Sequence, residues 1–356
     1  MIGSIVLNYD RPNPKRRQTR LKRIILADLH LSGYKDDNIQ EDGLPYRLSN
    51  LINILNNICL FAKEDNIKYI DIAGDIHNDK DIIYTDAQNA FIHLLEKFSD
   101  LQFTLISGNH DMSNSGDYQT SAIQALGGYS NVMCLFKPTI IDNITFIPYS
   151  KDIVKWVNES DPNKILISHF GVNEAQLQSG ISIISDVSFK NLLKFNLVLL
   201  GHYHKPQELF KDNTKLFYVG NPMHFNWNDK NEVKRFLVYD TESLLVESFN
   251  ISGFVQYREF VIDENTKDIK SILDEAVKLK NEGHHVRVRK FISEPLKYEK
   301  DQEDLIVINE NSKQHKDRGI NMTMTQKEIY DSYLTYKDIP KEEHKDYLDN
   351  LEEALL

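Results

Sequence analysis

Five short polar motifs, each directly behind an apolar run, carry most of the residue types in this chain that could do chemistry. In chain order they are Asp28-Leu29-His30, Gly74-Asp75, Gly108-Asn109-His110-Asp111, Ser168-His169 and Gly201-His202-Tyr203-His204. Ligand sites of α/β sheets form just beyond the carboxyl ends of the strands. Side chains two positions apart on extended backbone also point the same way. We therefore expect the five motifs to converge on one site.

The side chains in these motifs predict a metal centre. Carboxylate, amide oxygen and imidazole together suit Mn²⁺, Fe²⁺, Zn²⁺ or Co²⁺, and no cysteine joins them, which argues against a structural zinc–thiolate site. Two Asp, one Asn and four His are too many ligands for one ion. One bridging carboxylate would let them serve two ions about 3.5–4 Å apart, a pair that activates water and clamps a phosphate. Each motif alone is more often a loop cap or a buried histidine than a metal ligand, so the prediction rests on the occurrence of all five in order, each after a strand.

The elements that must position these residues alternate between strands and amphipathic helices, which predicts a layered α/β domain. Predicted strands are Arg23–Ala27, Lys68–Ala73, Gln102–Ser107, Ile144–Ile147, Lys164–Ser168, Leu197–Leu200, Leu216–Val219 and Phe236–Tyr239. Apolar residues recur at helical spacing from Leu48 to Ala62 and from Phe91 to Phe98. This domain is predicted to span residues 23–250.

Four further regions flank that domain. Residues 251–309 hold a helix with an apolar face from Ile269 to Leu279, then an alternating strand from His284 to Phe291. A polar linker at 310–324 leads to two predicted tail helices at 325–356, with a capping box at the start of the first. Residues 1–22 form a basic N-terminal extension, which could contact DNA phosphates, act as a solubilising arm or add a strand to a sheet.

Composition narrows the class of protein. The 356 residues carry a net charge of −11, so a uniformly basic nucleic-acid binder is excluded, although locally basic surfaces can still meet DNA. No apolar run reaches the length of a membrane-spanning helix. Two cysteines provide no disulfide framework, and the N-terminal basic run follows the apolar one, which is the wrong order for a secretory signal. We expect a cytoplasmic protein, in the host cytoplasm if it is phage-encoded, without membrane contact.

The motif order D-x-H, GD, GNHD, H, GHxH resembles the calcineurin-like metallophosphoesterase superfamily over residues 23 to about 225. The resemblance implies an αββα metallophosphoesterase domain with two divalent ions, most often Mn²⁺, with Mg²⁺, Fe²⁺ or Zn²⁺ as alternatives. It assigns one ion to Asp28, His30, Asp75 and His204. It assigns the other to Asp75, Asn109, His169 and His202, with Asp75 bridging.

The same resemblance gives roles to residues beside the ions. His110 matches the family's catalytic histidine, which protonates the leaving oxygen or stabilises transition-state charge. Asp111 would orient its imidazole, and a turn residue is the alternative. Many relatives carry a phosphate-positioning histidine three places after the bridging aspartate, where this chain has Asn78, a candidate substrate-binding residue. The adjacent His77 either contacts phosphate in its stead or is an exposed loop histidine.

Two longer segments resemble the SbcD and meiotic-recombination nucleases within that superfamily: GHYHKPQELF at 201–210 and YVGNPMHFNWND at 218–229. The resemblance implies that residues 251–309 form a DNA-capping domain, in which Arg287, Arg289 and Lys290 make a basic patch on one strand face for phosphate contacts. A solvated strand face is the alternative. It also implies that the tail helices dock on an SbcC-type, SMC-like ATPase and that the protein forms a homodimer.

Three functions remain open from the sequence. The first is a dimetal DNA exonuclease or endonuclease subunit of an SbcCD-type complex for recombination and double-strand-break repair, hydrolysing phosphodiesters with metal-activated water. The second is a calcineurin-like phosphodiesterase or phosphatase acting on a small molecule or phosphoprotein, although the paired arginine typical of Ser/Thr phosphatases is absent from GDIHNDK. The third is a scaffold that binds DNA ends without catalysis.

Overall fold

The computed structural model describes residues 22–34, 38–113, 120–162, 164–176, 185, 187–291, 305–309, 332 and 334. The predicted N-terminal extension apart from Lys22, the linker at 310–324 and the tail helices apart from Ser332 and Leu334 lie outside these residues. The chain divides into two compact units, Met1–Tyr257 and Arg258–Leu356.

The first unit alternates strands and helices. Its strands are β1 (Lys22–Leu26), β2 (Tyr69–Ala73), β3 (Gln102–Ile106), β4 (Val132–Leu135), β5 (Thr139–Ile141), β6 (Ile144–Ile147), β7 (Ile165–His169), β8 (Leu197–Gly201), β9 (Gln207–Lys211), β10 (Thr214–Tyr218), β11 (Arg235–Asp240) and β12 (Val246–Asn250). Its α-helices are α1 (Tyr46–Glu64), α2 (Thr85–Lys97), α3 (Ile153–Glu159) and α4 (Phe189–Leu192). Short 3₁₀ helices cover Ala122–Gly128 and Trp227–Asp229.

The strands form two mixed sheets of six strands each, in the orders β12-β11-β1-β2-β3-β4 and β5-β6-β7-β8-β10-β9. The strands that precede the five motifs are parallel neighbours: β1 with β2 and β2 with β3 in one sheet, and β7 with β8 in the other. Their carboxyl ends therefore point the same way within each sheet, which is what the convergence of the motifs requires.

Three apolar cores hold four layers together. Ile25 of β1 and Leu199 of β8 belong to one fully buried core, so the two sheets pack face to face. Ile24 points to the opposite face of its strand and packs with α1 and α2. Leu166 of β7 packs with α3 and α4 on the outer face of the second sheet. This arrangement confirms the predicted layered αββα architecture.

All eight predicted strands are present in the structure with ends shifted by at most two residues. The four strands of this unit that the apolar pattern missed are β4, β5, β9 and β12, and they are the edge strands of the two sheets. Edge strands are partly exposed and lack the continuous apolar run of a central strand, so periodicity gives them little signal.

The second unit is smaller. Its strands β13 (Tyr257–Ile262), β14 (His285–Lys290) and β15 (Ile306–Asn309) form one sheet, and helix α5 (Ile269–Asn281) packs on it through Leu273 and Ala276. Arg287 and Arg289 lie on one face of β14, but Lys290 lies on the other face with Val286 and is only 8% exposed. The predicted three-residue patch on one face is therefore wrong for Lys290, because side chains alternate along a strand.

Among the described residues, no helix is both long and apolar enough to cross a membrane.

Candidate metal centre

The carboxyl end of β7 and the loops that follow β1, β2, β3 and β8 bring together all seven side chains that the sequence predicts as metal ligands. Four of these residues leave their strands with a left-handed backbone: Asp28 (φ 55°), His30 (φ 48°), Asp75 (φ 50°) and His202 (φ 92°). Such conformations are unfavourable for residues other than glycine, and they cluster at functional sites. The local strain turns each side chain sharply off its strand end toward the common centre.

One half of the centre is formed by His30 and His204. Their Nε2 atoms are 2.9 Å apart, and His30 Nε2 lies 3.7 Å from Asp75 Oδ2. Asp28 offers an oxygen within 4.8 Å of both imidazoles. Burial lowers the pKa of His30 to about 3 and that of His204 to about 4, so both rings are neutral near pH 7. Neutral imidazole is the form that binds a metal ion.

The other half is formed around Asn109. Its Oδ1 atom lies 3.1 Å from His169 Nε2 and 3.0 Å from His202 Nδ1. His169 Nε2 lies 3.3 Å from Asp75 Oδ2, the oxygen that also faces His30. Asp75 therefore stands between the two halves, in the place that a bridging carboxylate needs.

The donor set fits divalent cations. His169 donates its Nδ1–H to the carbonyl of Ala73 at 2.7 Å, which leaves the Nε2 lone pair directed at the centre. Among the described residues, the buried atoms Asp28 Oδ2 and His30 Nδ1 have no hydrogen-bond partner. A buried carboxylate oxygen without a donor is costly, and a cation between Asp28 and the imidazoles would remove that cost for Asp28.

His110 lies beside this cluster. Its Nδ1–H donates to the carbonyl of Asn78 at 2.6 Å, its backbone N–H donates to Asp75 Oδ1 at 2.8 Å, and its ring stands edge-on to His30 with centroids 4.9 Å apart. The bond to Asn78 fixes the tautomer, so Nε2 is the atom that can accept or donate a proton at the centre.

The predicted role of Asp111 in orienting His110 is wrong. The carboxylate of Asp111 is fully buried and accepts backbone N–H groups from Ile76, His77 and Gly108 at 3.2, 2.9 and 2.8 Å. It joins the loop after β2 to the loop after β3. The carbonyl of Asn78 orients His110 instead, and a main-chain acceptor leaves no signature in the sequence.

His77 is neither a phosphate-binding residue nor an exposed loop histidine, the two alternatives that the sequence left open. It is 2% exposed, and its ring contacts Asp111 Oδ1 through Nδ1 at 3.2 Å and Gln88 Oε1 through Nε2 at 2.8 Å. Both ring nitrogens are therefore used within the protein, so His77 is not available to bind phosphate. Asn78 contributes its carbonyl, while its side chain donates to Asp79 at 3.1 Å.

Replacing Asp111 with alanine is expected to lower the free energy of unfolding by about 3–5 kcal/mol, because three backbone N–H groups and the His77 ring lose a buried acceptor. Urea denaturation at pH 7 measures the change. Asp100→Ala is the matched control, since Asp100 forms an exposed ion pair with Lys63 and should matter little. Equal stability of the two variants would contradict this role for Asp111.

The uptake of metal should release protons. Burial raises the pKa of Asp28, and the Asp75 charge adds to that rise. Burial alone would lower the pKa of His169, but the charge and hydrogen bond of Asp75 outweigh it and raise that pKa to about 9. Both groups must lose their protons to bind a cation, so Mn²⁺ affinity should increase as the pH rises toward 9.

Calorimetric titrations with Mn²⁺ in buffers of different ionisation enthalpy count the protons released at pH 6, 7 and 8. Without metal, the raised pKa of His169 stabilises the fold below pH 6.5, and this contribution is lost as the pH rises through about 9. A pH-independent affinity with no proton release would contradict the assignment of these two side chains as ligands.

A profile of the calcineurin-like phosphoesterase family matches residues 21–206, which include all five motifs. The chain belongs to the calcineurin-like phosphoesterases. Members of this family are metal-dependent hydrolases with a dimetal centre, and the clusters of Asp and His described above supply such a centre with ligands.

Individual relatives are distant. Exonuclease subunit 1 of Enterobacteria phage T4 is 23% identical over 298 residues, which cover 72% of this chain and 82% of the phage protein. Among solved structures, an archaeal phosphodiesterase is 13% identical with a TM-score of 0.35, over 64% of this chain and 99% of its own. A dimetal phosphatase from Danio rerio is 11% identical with a TM-score of 0.40, over 65% and 96% of the two chains.

Proposed function

We propose that this phosphoesterase is a DNA nuclease that hydrolyses phosphodiester bonds. The observation that carries the proposal is the convergence of Asp75 and six other candidate ligand side chains, with His110 beside them. The similarity to a phage exonuclease subunit over most of the chain supports DNA as the substrate. The longer motifs GHYHKPQELF and YVGNPMHFNWND point the same way.

Two divalent ions, of which Mn²⁺ is our first choice, would lower the pKa of water and neutralise phosphate oxygens at this site. Asp28, His30, Asp75 and His204 would hold one ion, and Asp75, Asn109, His169 and His202 the other. The carbonyl of Asn78 holds the Nδ1–H of His110, so Nε2 would be the ring atom that serves the reacting phosphate. His110 would give a proton to the departing ribose oxygen or stabilise the charge that develops on it.

The wider assignment is part of the same proposal. We infer a nuclease subunit of an SbcCD-type complex for recombination and break processing, which acts in the cytoplasm as a homodimer and docks on an SMC-like ATPase through residues 325–356. Residues 251–309 would cap the DNA. Both Arg287 and Arg289 approach Glu259, at 2.5 and 3.8 Å, so the acid offsets part of their charge and any phosphate contact there is weaker than the sequence suggested.

Substrate assays test the proposal. Purified full-length protein should degrade linear blunt duplex or circular single-stranded DNA with Mn²⁺ or Mg²⁺, and a chelator should stop the reaction. Methyl p-nitrophenyl phosphate and a phosphoserine peptide serve as comparison substrates. Turnover of either compound without any cleavage of DNA would favour the second function given above. Metal binding without turnover of any substrate, also in the presence of the co-purified ATPase, would favour a scaffold.

A further inference from the structure

A buried lysine lies directly behind one half of the centre. Lys234 is 0% exposed, and its ammonium group donates to Asn221 Oδ1 at 2.5 Å, Glu232 Oε2 at 2.6 Å and Asp229 Oδ1 at 2.8 Å. A buried ion pair gives a fold little net stability, because the desolvation of the charges offsets their attraction. We therefore ask which neighbouring groups this buried ion pair positions.

The group that it holds is the main chain of His204. The backbone N–H of Asn221 donates to the His204 carbonyl at 3.3 Å. Lys234 Nζ lies 3.3 Å from the same oxygen, its fourth and most distant acceptor, so this contact shares one of the three ammonium N–H groups with another acceptor. Gly220 approaches the same carbonyl so closely that a Cβ there would lie 2.7 Å from the oxygen, and its φ of +81° is a conformation that favours glycine. The backbone of His204 is thus fixed by a charged donor, an amide donor and a close packing contact.

The same cluster also holds the backbone of Phe225, whose ring lies beside His30 and His204. Asp229 Oδ2 accepts the backbone N–H groups of Phe225 and Asn226 at 2.9 and 3.2 Å. The ring of Phe225 then stands edge-on to His30 and His204, with centroid distances of 5.8 and 6.3 Å. The Phe225 ring therefore limits the rotation of both imidazoles of that half of the centre.

The opposite half has no such support from these residues. The backbone N–H of His202 donates to Asp28 Oδ1 at 2.9 Å, and His169 is held by the carbonyl of Ala73. The contacts of Lys234 and Asp229 therefore act on one half only.

We propose that Asn221, Asp229 and Lys234, which we name the Lys234 clasp, are positioning residues that set the metal affinity of the His30–His204 half. The inference rests on the proposed assignment of His30 and His204 as ligands. It also gives a physical role to the segment YVGNPMHFNWND, which supplies two of the three clasp residues. The clasp acts through the carbonyl of His204 and the ring of Phe225, and it touches neither substrate nor reacting atoms.

The double variant Asp229→Asn/Lys234→Met removes both charges of the fully buried Asp229–Lys234 pair. Glu232, the second acid that Lys234 contacts, keeps its charge, but its side chain is 13% exposed and reaches water. Full-length protein is titrated with Mn²⁺ by calorimetry, and electron paramagnetic resonance distinguishes coupled from isolated Mn²⁺. We expect one ion to bind as in the unmodified protein and the other about 10- to 100-fold more weakly, as is typical for the loss of a group that orients a ligand. His204→Ala supplies the reference signal for an impaired His30–His204 half.

Asn221→Ala keeps the ion pair and decides the question if the double variant fails to fold, with a smaller loss on the same half expected. Glu232→Gln is the matched control: it neutralises one partner of Lys234 at the edge of the cluster but leaves the bond to His204 in place. The proposal is overturned if the folded double variant binds both ions within twofold of the unmodified affinity. If the double variant does not fold, the same result with Asn221→Ala overturns it. Cleavage of DNA plays no part in this readout, so failure of the nuclease assignment would be seen separately.

Discussion

Asp75→Asn is expected to abolish the binding of the second Mn²⁺ ion and with it nearly all phosphodiesterase activity. Asp75 Oδ2 faces His30 and His169, one from each half of the centre, so under the proposed assignment its negative charge would serve both ions. Loss of a group that merely orients a ligand costs about 10- to 100-fold in affinity, and a shared ligand should cost more than 100-fold. Calorimetric titration with Mn²⁺ and turnover of linear duplex DNA measure the two effects.

The substitution is close to isosteric, and the amide can still accept the backbone N–H of His110 at the Oδ1 position. The fold should therefore persist, and circular dichroism is the check. Asp100→Asn, at an exposed ion pair, serves as the control for a lost charge remote from the motifs. Two tightly bound ions in Asp75→Asn would show that Asp75 does not bridge.

His110→Gln is expected to lower the turnover of DNA by about 10²–10⁴-fold, the usual contribution of a general acid, without loss of Mn²⁺ binding. Glutamine keeps a polar side chain near the carbonyl of Asn78 but cannot transfer a proton. The effect should depend on the leaving group. Methyl p-nitrophenyl phosphate releases a stabilised anion that needs no protonation, so its turnover should fall much less than that of DNA.

Asn78→Ala is the matched control for this pair of residues. Because His110 is held by the main-chain carbonyl of Asn78 and not by its side chain, activity should stay close to that of the unmodified protein. Equal losses on both substrates in His110→Gln would indicate that the histidine supports the metal centre and does not act on the leaving group.

The sequence predicted the central strands and the candidate metal ligands, because both depend on residue types that stand out along the chain. Central strands such as β7 and β8 are continuous apolar runs, which the sequence reveals directly. Asp28, Asn109 and His169 each come at or just after the end of such a run, and this position predicts that they meet at one site. The seven predicted ligands consequently lie together in the structure. Edge strands such as β9 have a half-exposed pattern, in which Phe210 is 63% exposed, and the apolar pattern did not reveal them.

The sequence was less informative about what supports the site. His77 and Asp111 form a buried pair with each other, a contact between two loops that no spacing along the chain predicts. His110 is oriented by a peptide carbonyl, a group that every residue offers. Lysine is usually an exposed residue, yet Lys234 is fully buried. Its ammonium group is paired inside the protein with Asp229, which lies in the preceding loop.

The most direct test of this account is a crystal structure of Mn²⁺-soaked protein with anomalous scattering recorded at the manganese edge. We predict two peaks about 3.5–4 Å apart, with Asp75 between them, one beside His30 and His204 and the other beside Asn109 and His169. A single peak, no peak, or two peaks without Asp75 between them would contradict the central claim that these strand ends build one dimetal centre.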